Sequence, residues 1–152
     1  MTSTAATTER ALSVIFRLGD ETFVLPASDV IKIIETKRIN RLPRLPRAIL
    51  GITQHRGRVV TVVDLRAVLF ADFDGVGRAV PRHALLIDRG ARNAGILADA
   101  IEEIAPVRLV GARAGAVPAL RVVQHRGRAV SAIDTDLLVA AIEGLTVVHD
   151  EV

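Results

Sequence analysis

The 152-residue sequence contains no cysteine, tryptophan or tyrosine, and its only aromatic side chains are four phenylalanines. Without cysteine, a disulfide framework, a thiol nucleophile and a thiolate metal site are all excluded. Half of the residues are hydrophobic and the mean hydropathy is +0.37, so the sequence predicts a sizeable, aliphatic core. No apolar run approaches the roughly 18 residues that span a bilayer. Because the N-terminus also lacks the basic start and apolar run of a signal peptide, we expect a cytoplasmic protein.

Lysine is also scarce, since Lys32 and Lys37 are the only two in a chain whose net charge is +3. Almost all of the cations are therefore arginines. The planar guanidinium group suits bidentate contacts with carboxylates across protein interfaces. A small net charge gives only weak support for nucleic-acid binding.

One pattern occurs twice. The stretch Gln54–Asp64 returns 70 positions later as Gln124–Asp134, and both copies open with Gln-His-Arg-Gly-Arg and close with Asp. Self-similarity of this kind indicates a duplicated structural unit. Each copy predicts a strand, a tight turn, a second strand and a helix start, because short β-branched runs favour strands.

Two details of this repeat are specific enough to test. Gly57-Arg58 and Gly127-Arg128 place glycine first in a two-residue turn, which predicts a type II′ hairpin. Asp64 and Asp134 each precede a helical pattern, so both are expected to cap a helix N-terminus.

Short strands with Gly/Pro turns recur along the chain. Leu12–Leu18 alternates in polarity and predicts a half-buried strand, and Thr22–Leu25 returns as its hairpin partner. Val30–Ile34 is either a third strand or the end of a helical turn, and its β-branched content favours a strand. The segment Gly111–Pro118 is expected to be a flexible loop. This spacing of strands and turns is typical of small barrels.

The segment Thr36–Arg47 is predicted to be a loop, because Pro43 and Pro46 interrupt any strand pairing. Its cations are Lys37, Arg38, Arg41, Arg44 and Arg47. Three interpretations stay open: a solvated connection, a docking loop for an acidic protein, and a phosphate-contacting arm. No aromatic residue is interleaved for stacking on bases.

Motifs for catalysis and for cofactor binding are absent from the sequence. It has no phosphate-binding glycine loop, nucleophile elbow or HExxH helix. His55 and His125 hold equivalent places in the repeat, but two histidines without further ligands make a poor zinc site. We therefore expect no enzyme activity, no catalytic residues, no bound metal and no cofactor.

Three stretches carry a family resemblance: Phe16–Phe23, Leu42-Pro43 with Leu45-Pro46, and Gly51–Leu65. The third follows the pattern Gly-Val-x-Asn-Leu-Arg-Gly-x-x-x-Pro-Val-x-Asp-Leu. It matches that pattern at Gly51, Arg56, Gly57, Val62, Asp64 and Leu65. The chain thus resembles the CheW-like domain, the coupling module of bacterial chemosensory arrays.

The chain departs from the family's pattern at four positions. Gln54, His55 and Thr61 stand where the family usually has Asn, Leu and Pro, and Lys32 stands where an acidic residue is common. These differences leave the expected fold intact and bear on partner specificity.

The resemblance implies a mainly β fold, with two interlocked five-stranded SH3-like barrel subdomains, short helices and a groove between the barrels. It also implies a flexible segment at 1–10, one domain at 11–143 and a tail at 144–152. Within the domain we expect subdomains at about 11–70 and 81–133, and a C-terminal helix at 134–143.

The implied function is that of a stand-alone, non-catalytic adaptor. Its partners would be the regulatory domain of a CheA-type histidine kinase and the cytoplasmic tip of chemoreceptors, without membrane insertion. The residues implied to lie on or near these contacts are Val30, Lys32, Ile33, Gly51, Arg56 and Gly57. For Arg56 a structural role between the subdomains is an equal alternative, and its repetition as Arg126 favours that role. A different function, nucleic-acid binding by a small β-barrel through the basic 37–47 loop, is the alternative.

Overall fold

The computed structural model describes residues 10–70, 72–74, 79–90, 92–114 and 117–151. Most of these residues form strands, with two α-helices and two 3₁₀ turns at Ala27–Asp29 and Thr36–Arg38. The strands are β1 (Ala11–Leu18), β2 (Glu21–Pro26), β3 (Val30–Glu35), β4 (Ile49–His55), β5 (Arg58–Val63), β6 (His83–Arg89), β7 (Arg92–Ala98), β8 (Ala100–Val107), β9 (Ala112–Ala114), β10 (Val117–His125) and β11 (Arg128–Ile133). The helices are α1 (Leu65–Leu69) and α2 (Thr135–Glu151).

The strands form two sheets. One has the order β8-β1-β2-β11-β10-β9 and the other has the order β3-β6-β7-β5-β4. The first sheet is five-stranded apart from β9, which adds three residues at its edge. The predicted fold class, mainly β with two five-stranded units and few helices, is confirmed. The strand alternative for Val30–Ile34 is also confirmed.

The sheets are interlocked through their hairpins. The β1–β2 hairpin pairs with β8 on one side and, in parallel, with β11 on the other. The β6–β7 hairpin pairs in the same way with β3 and, in parallel, with β5. The order β1 to α1 is therefore repeated as β6 to α2. In the first copy a single bridge between Asn40 and Ile52 takes the place that β9 holds beside β10.

The division into two subdomains, about 11–70 and 81–133, stays a prediction, and each sheet combines strands from both of these ranges. The five-stranded sheet uses only strands between Val30 and Ala98, and the other sheet joins β1 and β2 to β8 through β11. The limits of the whole domain, 11–143, stay a prediction. The C-terminal helix begins at Thr135 and continues to Glu151, beyond the predicted end at 143. Residues 1–9 of the predicted flexible segment lie outside the described residues.

The core is aliphatic, as the composition predicts. The main cluster lies between the sheets and includes Phe16 and Phe23, whose stacked rings are 5.7 Å apart. Leu138, Val139 and Ile142 of α2 pack into this cluster. A second cluster belongs to the six-stranded sheet and consists of Ile15, Val24, Ala105, Val107, Val123, Val130 and Ala132. Full burial of aliphatic side chains at this scale is the main stabilising term of such a fold.

The turns of the repeat differ from their prediction. β4 ends at His55 and β5 begins at Arg58, so the central residues are Arg56 and Gly57, with φ angles of 51° and 77°. Arg126 and Gly127 repeat this conformation with φ angles of 52° and 80°. Two positive φ angles define a type I′ turn, in which glycine is the second central residue. The type II′ prediction, with Gly57-Arg58 and Gly127-Arg128 at the centre, is therefore wrong by one position.

The segment predicted as a loop at Gly111–Pro118 is also partly ordered into strands. β9 lies within it and pairs with β10, which itself begins at Val117. Gly111 is needed there because an added Cβ would collide with the carbonyl oxygen of Val122. Among the described residues, no helix has the length and apolar character to cross a membrane.

Candidate partner-binding site

β3 forms one edge of the five-stranded sheet, and β6 is its neighbour in that sheet. Four consecutive residues at its start are at least partly accessible: Val30 is half-buried, while Ile31, Lys32 and Ile33 are exposed. The two isoleucines are 40% and 39% exposed, respectively. An accessible strand edge with apolar side chains can pair with or pack against another protein.

The turn between β4 and β5 is the second part of the site. We call His55-Arg56-Gly57-Arg58 the first tip and His125-Arg126-Gly127-Arg128 the second tip. In the first tip Arg56 is exposed and adopts a left-handed conformation. That conformation costs an L-residue with a Cβ about 1–2 kcal/mol. Asparagine or glycine would fit with less strain, so arginine at this position points to a role for its side chain.

A cavity of about 190 Å³ brings β3 and the first tip together. Ile31 lines it from β3, and Arg56 and Arg58 line it from the tip. Asp88 of β6 and Asn93 of β7 complete the opposite side. Five of the six predicted residues, namely Val30, Lys32, Ile33, Arg56 and Gly57, therefore belong to the two elements that meet at this cavity.

The charge around this cavity is mainly positive. Arg58 donates to the carbonyl oxygen of Gly90 at 3.2 Å and lies 3.7 Å from Asp88. Arg56 forms no hydrogen bond or ion pair with any residue that the structure describes. Lys32 is exposed on the adjoining strand. The site can therefore offer cations and apolar side chains to the same partner surface.

Gly51, the sixth predicted residue, lies apart from this surface. It is buried in β4, and a Cβ at this position would collide with the backbone carbonyl of Asn40. That carbonyl accepts from the backbone N–H of Ile52 in the bridge beside β4. The requirement for glycine at position 51 is thus explained by close backbone packing. A direct contact from Gly51 to a partner stays a prediction.

Sequence reasoning missed Ile31, Arg58, Asp88 and Asn93 as members of the site. Ile31 adjoins two predicted residues, and it stands at a register shift between Val30 and Lys32. Asp88 and Asn93 flank the β6–β7 turn and pair with each other across that hairpin. Nothing in the local sequence indicates that this hairpin lies beside the first tip, because the packing is set by the parallel β5–β7 pair.

A larger cleft of about 400 Å³ lies beside α1 and the basic loop, and its lining includes Arg41, Arg47 and Leu42. Arg47 pairs with Asp74 at 2.6 Å, and both side chains are exposed. Lys37 pairs with Glu35 at 3.4 Å. These surface ion pairs show that carboxylates of the chain itself neutralise part of the loop's positive charge.

Both repeated aspartates cap helices, as predicted. Asp64 accepts from the backbone N–H of Arg66 at 2.9 Å, and Asp134 accepts from that of Leu137 at 3.2 Å. The guanidinium of Arg66 also donates to both oxygens of Asp64, at 3.1 and 2.8 Å. These hydrogen bonds hold the pKa of Arg66 above its ordinary value. Arg66 also lies 4.5 Å from the centre of the Phe73 ring, so this ion pair forms part of the wall of the larger cleft.

The histidines of the two tips line separate cavities, His55 in the site and His125 in a cleft beside β8 and β10. Within the described part of the chain, no three side chains of the types that bind metal are grouped closely enough to hold an ion. The described residues thus form a small protein of two β-sheets, with a candidate contact surface at one strand edge and one hairpin tip.

Comparison with known proteins agrees with this class. The model of the CheW-like domain family matches residues 13–141. The chain is 36% identical over 87 residues to Protein FrzA of Myxococcus xanthus, covering 57% of this chain and 52% of FrzA. It is 31% identical over 93 residues to the Chemotaxis protein CheW of Klebsiella aerogenes, covering 59% and 53%. The chain thus spans about half the length of these curated relatives.

A solved structure supports the fold. The scaffolding protein TtCheW from Thermoanaerobacter tengcongensis superposes with a TM-score of 0.66 at 21% identity, over 82% of this chain and 89% of that one. At this identity the likeness concerns the fold alone. Because the family model covers most of the sequence, this chain belongs to the CheW-like domain family.

Proposed function

We propose that this chain is a non-catalytic adaptor of a bacterial chemosensory array, acting in the cytoplasm. In this role it couples the cytoplasmic tip of chemoreceptors to the regulatory domain of a CheA-type histidine kinase. The observation that carries the proposal is the family match over residues 13–141. The names of two similar proteins, a chemotaxis protein and a scaffolding protein, agree with it.

The surface formed by β3 and the first tip is the proposed contact site. It combines two exposed isoleucines with Lys32 and Arg56. Arginine and large apolar side chains are the residue types that carry much of the energy in protein interfaces. The backbone of Arg56 already adopts the left-handed conformation of a two-residue turn, which reduces the conformational freedom that its backbone would lose on binding.

The proposal is tested by isothermal titration calorimetry with the kinase regulatory domain and with a receptor fragment from the source organism. We expect saturable binding of the wild type. Arg56→Ala should weaken binding about tenfold or more, as expected for a contact that contributes over about 1.4 kcal/mol. The matched variant Arg126→Ala changes the same residue type in the same turn of the second tip and should retain the affinity of the wild type.

Two results would count against the proposal. Absence of binding to every chemosensory kinase of the organism would exclude the adaptor role. If Arg56→Ala unfolds the protein, as judged by circular dichroism, Arg56 is structural and the site is elsewhere.

No finding favours the alternative of nucleic-acid binding through the basic 37–47 loop. That function would give an affinity for DNA or RNA that falls steeply with salt. The same calorimetric titration with a single-stranded oligonucleotide at two salt concentrations distinguishes it from the adaptor function.

A further inference from the structure

The repeat allows the two tips to be compared residue by residue. β3 pairs with β6 through Val30 and Lys32, and Ile31 is skipped at a register shift. β8 pairs with β1 through Ile101 and Glu103, and Glu102 is skipped at the equivalent shift. The skipped residue fixes the alignment of the two strands. Ile31 therefore corresponds to Glu102, and Lys32 corresponds to Glu103.

In the second copy these two glutamates meet the arginines of the second tip. Arg126 lies 2.6 Å from Glu103, and Arg128 lies 2.8 Å from Glu102. His125 lies 3.5 Å from the second carboxylate oxygen of Glu103. The arginine held in the left-handed conformation thus has a carboxylate partner within the chain.

The first copy keeps the cations of the tip and lacks both carboxylates. Lys32 stands at the position of Glu103, and Ile31 stands at the position of Glu102. Arg56 consequently has no ion-pair partner among the described residues. A lysine beside an arginine adds like-charge repulsion, whereas the glutamate in the second copy adds attraction.

Arg58 also lacks the glutamate partner that its counterpart has in the second copy, but it finds other acceptors. Its counterpart Arg128 pairs with Glu102, whereas Arg58 turns to the carbonyl oxygen of Gly90 and to Asp88. Ile31 stands at the position of Glu102 in the first copy, and it lines the cavity beside the first tip. The first copy is thus both more positive and more apolar than the second at matched places.

We propose that the partner that docks on β3 and the first tip presents an acidic protein surface. One of its carboxylates binds Arg56 and Lys32, in the place that Glu103 takes at the second tip, and an apolar side chain beside it packs on Ile31. This inference rests on the proposed function for the identity of the partner. It specifies what that partner must carry at this site.

The chemistry follows from the geometry of the second tip. A carboxylate at the position of Glu103 reaches the guanidinium group of the tip arginine, and it forms a charge-assisted hydrogen bond. With Lys32 at that position, no residue that the structure describes supplies this contact to Arg56, so a carboxylate of the partner can take that place. A partner surface with lysine or arginine there would be repelled, which gives the site selectivity by charge.

The first experiment uses a probe that does not depend on the kinase. Hexaglutamate is titrated into the ¹⁵N-labelled protein, and the Nε–Hε resonances of Arg56 and Arg126 are followed by NMR. We expect a saturable shift at Arg56 and a much smaller one at Arg126. Equal responses at the two arginines, or no response at Arg56, would overturn the proposal.

Two reciprocal variants exchange the charge pattern of the two tips. Lys32→Glu supplies the internal carboxylate to the first tip and should abolish the response of Arg56. Glu103→Lys removes it from the second tip and should create a response at Arg126. Lys32→Gln removes only the charge of Lys32 and should give an intermediate response, which keeps the test valid if either charge reversal impairs folding. An unchanged response of Arg56 in both Lys32 variants would contradict the inference.

A second set of titrations separates this inference from the proposed function. If Arg56 responds to hexaglutamate as expected but neither the kinase domain nor the receptor fragment binds, the adaptor function fails and the acidic docking surface stands. If one of them binds the wild type and Lys32→Glu equally well, the adaptor function stands and the acidic contact fails. A single-stranded oligonucleotide that shifts Arg56 at lower concentration than hexaglutamate would overturn the proposal in favour of a nucleic acid.

Discussion

Asp29 and Thr135, which are 106 positions apart in the sequence, are joined by a buried hydrogen bond in which Thr135 Oγ1 donates to Asp29 Oδ2 at 2.7 Å. Arg89 donates to the other oxygen of Asp29 at 2.8 Å, and it also donates to both oxygens of Asp136 at 3.0 Å. Asp29 ends the 3₁₀ turn before β3, and Thr135 is the first residue of α2. The network therefore holds the start of β3 against the start of α2.

Removing the hydroxyl group of Thr135 tests this link. Thr135→Val leaves one oxygen of the buried Asp29 without its donor, so we expect a loss of about 1–3 kcal/mol in the free energy of unfolding. Urea denaturation measures it. Thr22→Val is the matched control, because the structure describes no hydrogen bond from the half-buried Thr22 hydroxyl. Equal effects of the two variants would show that the Asp29 contact is not the cause.

The close packing of Gly51 against Asn40 gives a second prediction. Gly51→Ala introduces a Cβ that collides with the carbonyl of Asn40, and the backbone bridge between Asn40 and Ile52 must open to relieve it. We expect a destabilisation of about 1–3 kcal/mol, in the range of overpacked interiors. The control is Gly144→Ala in α2, where an added Cβ meets no atom within 4 Å. Alanine is the better helix former there, so this variant should gain about 1 kcal/mol.

The sequence was sufficient to predict the β-rich fold, the repeat and the helix caps, because these depend on local patterns. Hydrophobic alternation identified β1 and β2, and the repeat located the two hairpins and the aspartates that follow them. The sequence predicts the two-residue turn one position too late, because glycine is favoured in both type I′ and type II′ turns. Nothing in the sequence indicates that the neighbouring arginine is left-handed. A residue with a Cβ is rarely expected there.

The site was only partly predictable, for a different reason. Lys32 and Arg56 came from a family resemblance, whereas their contrast with Glu103 and Arg126 depends on the register of two strands that are distant in sequence. The offset of the repeat is 70 residues at the hairpins, but β3 and β8 align through their register shifts instead. Long-range pairing of this kind leaves no signal in a single sequence.

The strained arginines at the two tips give a third prediction. Arg56→Gly removes the cost of a left-handed residue with a Cβ, and no ion pair with a described residue is lost. We expect a gain of about 0.5–1 kcal/mol in stability. Arg126→Gly should gain less, because it also loses the 2.6 Å pair with Glu103. The midpoints of urea denaturation measure both effects, provided that the dependence of the unfolding free energy on urea concentration is unchanged. An equal gain for Arg126→Gly would indicate that its ion pair contributes nothing, and a larger gain would contradict the prediction.

The pair of Arg89 and Asp136 predicts how the attachment of α2 depends on pH. The hydrogen bonds from Arg89 hold the pKa of Asp136 below its ordinary value of 3.8. A carboxylate whose pKa is lower in the folded state stabilises that state above its unfolded pKa, and the contribution is lost as the pH falls through the folded value. The wild type should therefore have a higher melting temperature than Asp136→Asn at about pH 6, and the difference should shrink below about pH 4. In an Arg89→Gln background the same substitution should have little effect at either pH, since the cation that lowers the pKa is gone. A difference that persists in that background would assign the pH dependence to another neighbour of Asp136, such as Arg92.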